Sequence, residues 1–370
     1  MNSSVQAVFD WIKESGIQSK SGGFYAWHDL NEKKYSYIYP EITGYGITTL
    51  LYLYSISRDK ILLKNAKRAG TWIIKKALHP CGGVRTRLFE NDKEANELYS
   101  FSGEKIFSFD TGMVLYGMVN LYKITNDKNF LKASERMAQF LVGKMQTGDG
   151  SLHAIYDSKK HLYLNSYDKW STQPGGFHAK AAMGLCDLFH ITLKQEYKDA
   201  AIRLCEFALT TQGPSGRFIT CKQTKTTNLH PHCYTAEGLV YTGSAFGIDV
   251  FIKSAQSATK WAFKNISSEG IDELYDPSID SFNGFQRCDV IAQLLRLGII
   301  FSLQDKIDFL SKLLKSYQYF WREKKQNGGF LYSKTGADIN SWCSMFALQA
   351  MVLADSQSKG VHSKKIDLFI

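Results

Sequence analysis

At 370 residues, with no Ser/Pro-rich stretch to divide it, the chain is expected to fold as one domain over residues 1–370. Seven scattered cysteines with no CxxC pair exclude a disulfide framework and a zinc ribbon, and there is no run of about 18 apolar residues to span a membrane. The 45 Lys and Arg against 35 Asp and Glu give a net charge of +10. No helix-turn-helix, zinc finger or basic-aromatic RNA signature accompanies it, so the charge points to a solvated surface or an acidic polysaccharide rather than nucleic acid.

The N-terminus, MNSSVQAVFDWIKESG, lacks the basic region and continuous apolar stretch of a signal peptide, so a cytoplasmic location is expected. Along the chain a helical hairpin recurs six times. Its opening helices begin at EITGYGITTLLYLY (Glu41), FDTGMVLYGMVNLY (Phe109), GGFHAKAAMGLCDLF (Gly175), CYTAEGLVYTGSAFG (Cys233), RCDVIAQLLRLGII (Arg287) and NSWCSMFALQAMVLA (Asn340). Small residues are mixed there with large apolar ones on nearly every face, as in helices buried all round. The following helices, such as LLKNAKRAGTWIIKKAL and NFLKASERMAQFLVGKM, are apolar at three- and four-residue spacing with basic residues opposite, as on an outer layer. Glycine turns close the units near Gly23, Gly83, Gly150, Gly216, Gly270 and Gly329, roughly 55–70 residues apart. The first closing turn lacks an opening helix and the last opening lacks a closing turn, so the N-terminal and C-terminal helices are expected to pair. The predicted fold is all-α: an (α/α)6 toroid of twelve helices in two concentric layers.

In such a ring the segments leading into the inner helices gather at one mouth, and long connections in a compact helical domain are usually functional. In chain order they carry Glu41 and Tyr45; Arg85, Arg87, Tyr99, Phe109 and Asp110; His153, Tyr167, Trp170, Gln173, His178 and Lys180; Asn228, His230, His232, Tyr234 and Glu237; Arg287 and Asp289; and Trp342. Aromatic faces with interleaved polar groups suit sugar rings, although most aromatics in a chain with 14% Phe, Trp and Tyr must be core. His230, His232 and Cys233 have the makings of a partial metal site, but without a clear fourth ligand no metal or cofactor is expected.

The segments YPEITGYG, GGVRTR, SFDTG, WSTQPGGFHAK, LHPHCYTAEG, RCDVIAQ and INSWCSMFALQA together resemble polysaccharide-biosynthesis proteins of the six-hairpin glycosidase-like class, over nearly the whole chain. That resemblance implies the toroid and leaves the activity open among hydrolases, uronate lyases, uronyl C5-epimerases and sugar 2-epimerases, because one fold hosts them all. The DxDD and repeated QW motifs of triterpene cyclases are absent, which sets that branch aside. A hydrolase needs two carboxyl groups, for which Glu41, Asp110, Glu237 and Asp289 are candidates, although a first-turn carboxylate is as often a cap. Proton abstraction beside a uronate carboxylate needs that charge neutralised and a base and an acid on the two faces. Arg85, Arg87 or Arg287 would hold the carboxylate, two among His178, His230, His232 and Tyr234 would exchange the proton, and Glu41 or Glu237 would orient one of them. Tyr45, Trp170, Gln173, Lys180, Asn228 and Trp342 complete the expected substrate-binding set. The basic chain favours this second reading, with a D-glucuronyl C5-epimerase acting on a polymer such as heparosan as its most specific form. Hydrolysis, elimination, sugar 2-epimerisation and noncatalytic binding of polysaccharide remain as alternatives.

Overall fold

The computed structural model describes residues 3–89, 97–166, 169–321, 326–358 and 368–370. Twelve α-helices alternate between an inner and an outer ring. The inner ring is α2 (Pro40–Ser57), α4 (Ser108–Thr125), α6 (Ala182–Thr192, entered through a 3-10 turn over Gly176–Ala181), α8 (Leu229–Phe246), α10 (Cys288–Ile300) and α12 (Ser341–Ser358). Around it stand α3 (Lys60–Trp72), α5 (Lys128–Phe140), α7 (Gln195–Thr210), α9 (Asp249–Lys264), α11 (Ile307–Lys315) and α1 (Ser3–Glu14). Each inner helix packs on the next, α12 packs on both α10 and α2, and α1 packs on α12, so the ring closes through the two ends of the chain.

The sequence accounts for the two layers. Every residue of α4 from Ser108 to Leu121 and of α8 from Leu229 to Gly243 is buried. Small residues let these helices approach: a side chain on Gly117 would meet the carbonyl of Gly44 at 2.7 Å, and one on Gly238 would meet the backbone of Ala179 at 2.2 Å. By contrast, α5 buries Phe130, Ala133, Ser134, Met137, Ala138 and Phe140 and turns its charges to water.

Each unit is locked to the next by its closing turn. Gly22, Gly82, Gly150 and Gly216 have positive φ, and an added Cβ would strike a carbonyl of the following outer helix, at Arg68, Arg136, Arg203 and Ser257 respectively. The amides of Gln18, Gln146 and Gln212 bridge the turn to that helix through the carbonyls of Asn65, Ala200 and Ser254. Gln318 makes the same bridge to the carbonyl of Ser4, which identifies α1 as the outer helix that receives the last turn.

The segments between outer and inner helices are not irregular loops. They fold into strands β1 (Trp27–Asp29), β2 (Lys34–Tyr35), β3 (Lys105–Phe107), β4 (Ile155–Asp157), β5 (Leu162–Leu164), β6 (Thr227–Asn228), β7 (Leu274–Asp276), β8 (Ser281–Asn283), β9 (Gln318–Trp321), β10 (Gln326–Leu331) and β11 (Asp338–Asn340). These form three small antiparallel sheets, ordered β2-β1-β11-β10-β9, β3-β4-β5 and β6-β7-β8. The strand fringe was not anticipated in the all-α reading, because two- and three-residue strands are too short to show an alternating pattern. Among the described residues no helix is long and apolar enough to cross a membrane.

Candidate active site

Five of the six inner helices, all but α6, share a register, and it places the side chains in layers along the ring axis. Their second residues are Glu41, Phe109, His230, Asp289 and Trp342; the sixth are Tyr45, Met113, Tyr234, Gln293 and Phe346; the ninth include Tyr116, Glu237, Arg296 and Gln349. Spacings of four and then three keep one helix face on the axis. The top layer lines a pit of about 180 Å3, completed by Tyr37, Tyr39, Arg87, Tyr99, Asp110, Lys169, Trp170, Tyr234 and Arg287.

One wall of the pit holds Glu41 and Asp110. Burial raises both carboxyls, Asp110 well above the ordinary range, and the Glu41 charge raises Asp110 further. Tyr39 donates to Asp110 Oδ1 at 3.2 Å, while Asp110 Oδ2 is buried with no partner among the described residues. Beside them the Arg87 guanidinium lies over Tyr99, Tyr37 and Tyr39 at 4.3, 4.9 and 5.4 Å. No carboxylate of the described residues forms an ion pair with Arg87, and its buried Nε has no partner. A cation and an acid with unfilled hydrogen-bonding capacity thus face the same space.

The opposite wall belongs to α8 and α10. His230 lies 4.2 Å, ring to ring, from Tyr234 and edge-on to Trp170. Burial holds its imidazole down at about 4, so it is neutral at pH 7. Its Nδ1 is 2.7 Å from Gln293 Oε1 and 3.5 Å from Asp289 Oδ2. Asp289 is committed elsewhere: Arg287 grips both its oxygens, at 3.0 and 2.6 Å, and the Trp342 indole donates to Oδ2 at 2.9 Å. Although burial alone would raise it, these partners hold Asp289 at about 2. Arg287 also donates to Glu273 at 3.1 Å, so its charge is spent within the wall.

Below the pit Tyr45 donates to Tyr234 across the axis at 2.9 Å. One layer deeper, fully buried Glu237 is clamped by Lys180 at 2.7 Å and Arg296 at 2.6 Å. Burial lowers Lys180 to about 8 against the pull of Glu237. Residues 368–370 close the far mouth. The Ile370 main-chain oxygen accepts from Arg296 at 2.5 Å and Lys180 at 3.3 Å, Gln349 Oε1 accepts from Ile370 N–H, and Tyr116 Oη accepts from Phe369 N–H. The axis is therefore a blind pit over a buried base in which Lys180 and Arg296 flank Glu237.

Of the residues expected from sequence, Glu41, Arg87, Tyr99, Phe109, Asp110, Trp170, His230, Tyr234, Arg287 and Trp342 line the pit, with Asp289 directly behind. Tyr45, Lys180 and Glu237 lie beneath it. The remainder are elsewhere. His232 is the fourth residue of α8, where Thr43, Thr111 and Ser344 stand in α2, α4 and α12. Each of the four accepts a backbone N–H from a closing turn, His232 Nδ1 from Phe218 at 3.3 Å, and His232 Nε2 donates to the carbonyl of Ala258. Asn228 caps α8 through His230 N–H, and Gln173 ties the Lys169 carbonyl to Lys222 N–H. Arg85 pairs with Glu104 at 3.5 Å, and His153 stacks on Tyr163. His178 is buried against Phe177 with neither ring nitrogen partnered. Tyr167 lies outside the described residues. Tyr37, Tyr39, Lys169 and Gln293 were not singled out in advance. The helix register would have found Gln293, which occupies the position of Tyr45 and Tyr234. No group of three or more His, Cys, Asp or Glu among the described residues is arranged to hold a metal.

No protein-family model matches the sequence, and no curated protein does. Solved structures share the fold. A cellobiose 2-epimerase from Bacillus thermoamylovorans superposes with a TM-score of 0.76 at 10% identity, covering 94% of this chain and 99% of its own. A sugar epimerase from a ruminal bacterium gives 0.74 at 13% identity over 95% and 96%. An unsaturated glucuronyl hydrolase specific for heparin gives 0.69 at 16% identity over 97% and 98%. The chain thus has the six-hairpin toroid of these carbohydrate-active enzymes, and at such identities the likeness establishes fold alone.

Proposed function

We propose that this chain is a carbohydrate-active enzyme that exchanges the proton on the carboxylate-bearing carbon of an acidic saccharide, as a D-glucuronyl C5-epimerase does. The observation that carries this reading is that His230, whose imidazole burial keeps neutral, lines the same pit as a carboxyl pair on other inner helices, Glu41 and Asp110, whose ionisation burial disfavours. A base on one face and an acid on the other is what inversion at a carbon requires.

The substrate carboxylate goes to Arg87, with Lys169 at the rim, because Arg287 is already neutralised. His230 Nε2 takes the C5 proton. The electron pair of the C–H bond passes into the carboxylate as an enediolate, held by Arg87 and a proton carried by the acid pair. That proton returns to C5 on the opposite face, giving the epimer, and solvent resets both groups. Tyr45 and Tyr234 form the floor on which the ring rests. Among the fold relatives are sugar epimerases and an enzyme named for unsaturated glucuronyl groups, so the scaffold is compatible with both halves of the proposal.

The test is incubation with heparosan in heavy water, read by NMR. Deuterium at C5 with new iduronate signals is expected. The acid pair also favours a second reading, glycoside hydrolysis, which needs two carboxyl groups facing one pit. New reducing ends without exchange would select it and overturn the first.

A further inference from the structure

The proposed chemistry needs His230 to present a bare nitrogen to the pit, and an imidazole has two tautomers. The layers beneath fix which one forms. Glu237 is held between Lys180 and Arg296, and a carboxylate so placed only accepts hydrogen bonds. Gln293 turns its amide nitrogen to Glu237 Oε2 at 3.4 Å, which leaves its carbonyl facing His230 Nδ1 at 2.7 Å. Reversing the amide would set its oxygen against the carboxylate. A carbonyl oxygen cannot donate, so Nδ1 carries the proton. Asp289 Oδ2 lies 3.5 Å from the same nitrogen and is already engaged by Arg287 and Trp342, so it is compatible with that form but does not fix it.

We propose that Gln293 is a positioning residue that holds His230 as the Nδ1–H tautomer, with Nε2 bare toward the pit, and that the Lys180–Glu237–Arg296 cluster sets the direction of its amide. The chain of dependence runs from the closed base of the ring to the pit wall. Lys180 and Arg296 also bind the Ile370 oxygen, so residues 368–370 complete the shell that holds Glu237 in place. The consequence for turnover rests on the proton-exchange reading above, whereas the tautomer does not.

The test is a long-range proton–nitrogen correlation spectrum of the full chain with 15N-labelled histidine at pH 7. Its nine histidines are sorted by the signals missing from His230→Gln. Wild-type His230 is expected to show a protonated Nδ1 and an unprotonated Nε2. In Gln293→Met, which keeps the bulk and removes the acceptor, the pattern should shift toward a mixture or the other tautomer. The kcat for exchange should fall about tenfold or more, with KM within about threefold, as expected when ground-state binding is untouched. A protonated Nε2 in the wild type overturns the proposal even if the variant does not fold, and so does an unchanged His230 pattern in a folded Gln293→Met. The expected tautomer without heparosan exchange would instead remove the functional reading and leave the positioning role intact.

Discussion

Glu41 and Asp110 on one side of the pit and Asp289 on the other occupy the same first turn of inner helices, yet burial acts on them with opposite results. Asp110 and Asp289 are buried and Glu41 is half-buried, and all three sit at a helix N-terminus, where the macrodipole favours the anion. Asp289 is ionised because Arg287 meets both oxygens in a planar fork and Trp342 adds a third donor. Glu41 and Asp110 have tyrosine hydroxyls and a guanidinium stacked on rings beside them, and the Glu41 charge adds to the burial of Asp110, so both carboxyls are raised. The repeat delivers a carboxyl group to the mouth, and the lead-in segment decides whether it is an acid or a counter-ion.

The largest expected effect is on activity. Asp110→Asn keeps the shape and the Tyr39 contact but removes the transferable proton, and exchange should fall by about 10²–10⁴. Thermal stability should not fall, because no paired charge is lost. An equal loss of both would place Asp110 with Asp289 as a structural group. Next comes Arg287→Met, which strands Asp289 and Glu273 in the wall. Breaking a buried pair from one side costs about 3–5 kcal/mol, measurable by urea unfolding. Arg87→Met should cost far less, since among the described residues no carboxylate forms an ion pair with it, while weakening capture of the acidic saccharide. Comparable losses in the two variants would erase the distinction between the walls.

The same contrast has a pH signature. The Asp110 carboxyl is raised on folding, so the folded chain binds a proton that the unfolded chain releases, and its stability contribution is lost as pH rises above 3.8. Asp289 is depressed from 3.8 to about 2, so its contribution is present above 3.8 and lost as pH falls through that interval. Asp110→Asn should therefore gain in melting temperature relative to the wild type as pH rises above 3.8. The relative stability of Asp289→Asn should instead improve only at the acid end.

The ring itself was legible because its inner helices are long and small-residue-rich and its outer ones strongly amphipathic, and both signals survive in a single sequence. The site was legible at positions fixed by helix register, such as Glu41, His230 and Trp342. Residues delivered by the strand fringe were harder to find. Tyr37, Tyr39 and Lys169 reach the pit only through pairings and turns that have no local signature. His232 misleads by its place in HPH: two residues from His230 on a helix it points away, and its role is that of the threonines and serine at the equivalent position in other units. A repeat-by-repeat alignment of the inner helices would have exposed that equivalence and would have raised Gln293 in its place.

His178 should give the smallest effect and is the sharpest check on where the pit wall ends. It stands on the turn into α6, buried beside Phe177 and Phe109, and neither nitrogen has a partner. Burial depresses its imidazole to about 3 against an ordinary 6.5, so the neutral ring carries an unmet desolvation cost and the folded state resists its protonation. The contribution of such a group is lost as pH falls from 6.5 toward 3, because the unfolded chain takes up the proton first. His178→Leu should stabilise the fold by about 1–2 kcal/mol at pH 7, the order of an unpaired buried polar group, and by more at pH 5. Exchange activity should be unchanged, since the ring does not reach the pit. A stable His178→Leu protein that no longer exchanges the C5 proton would mean that α6 supplies a base, and the two-wall assignment to His230 and the Glu41–Asp110 pair would have to be redrawn.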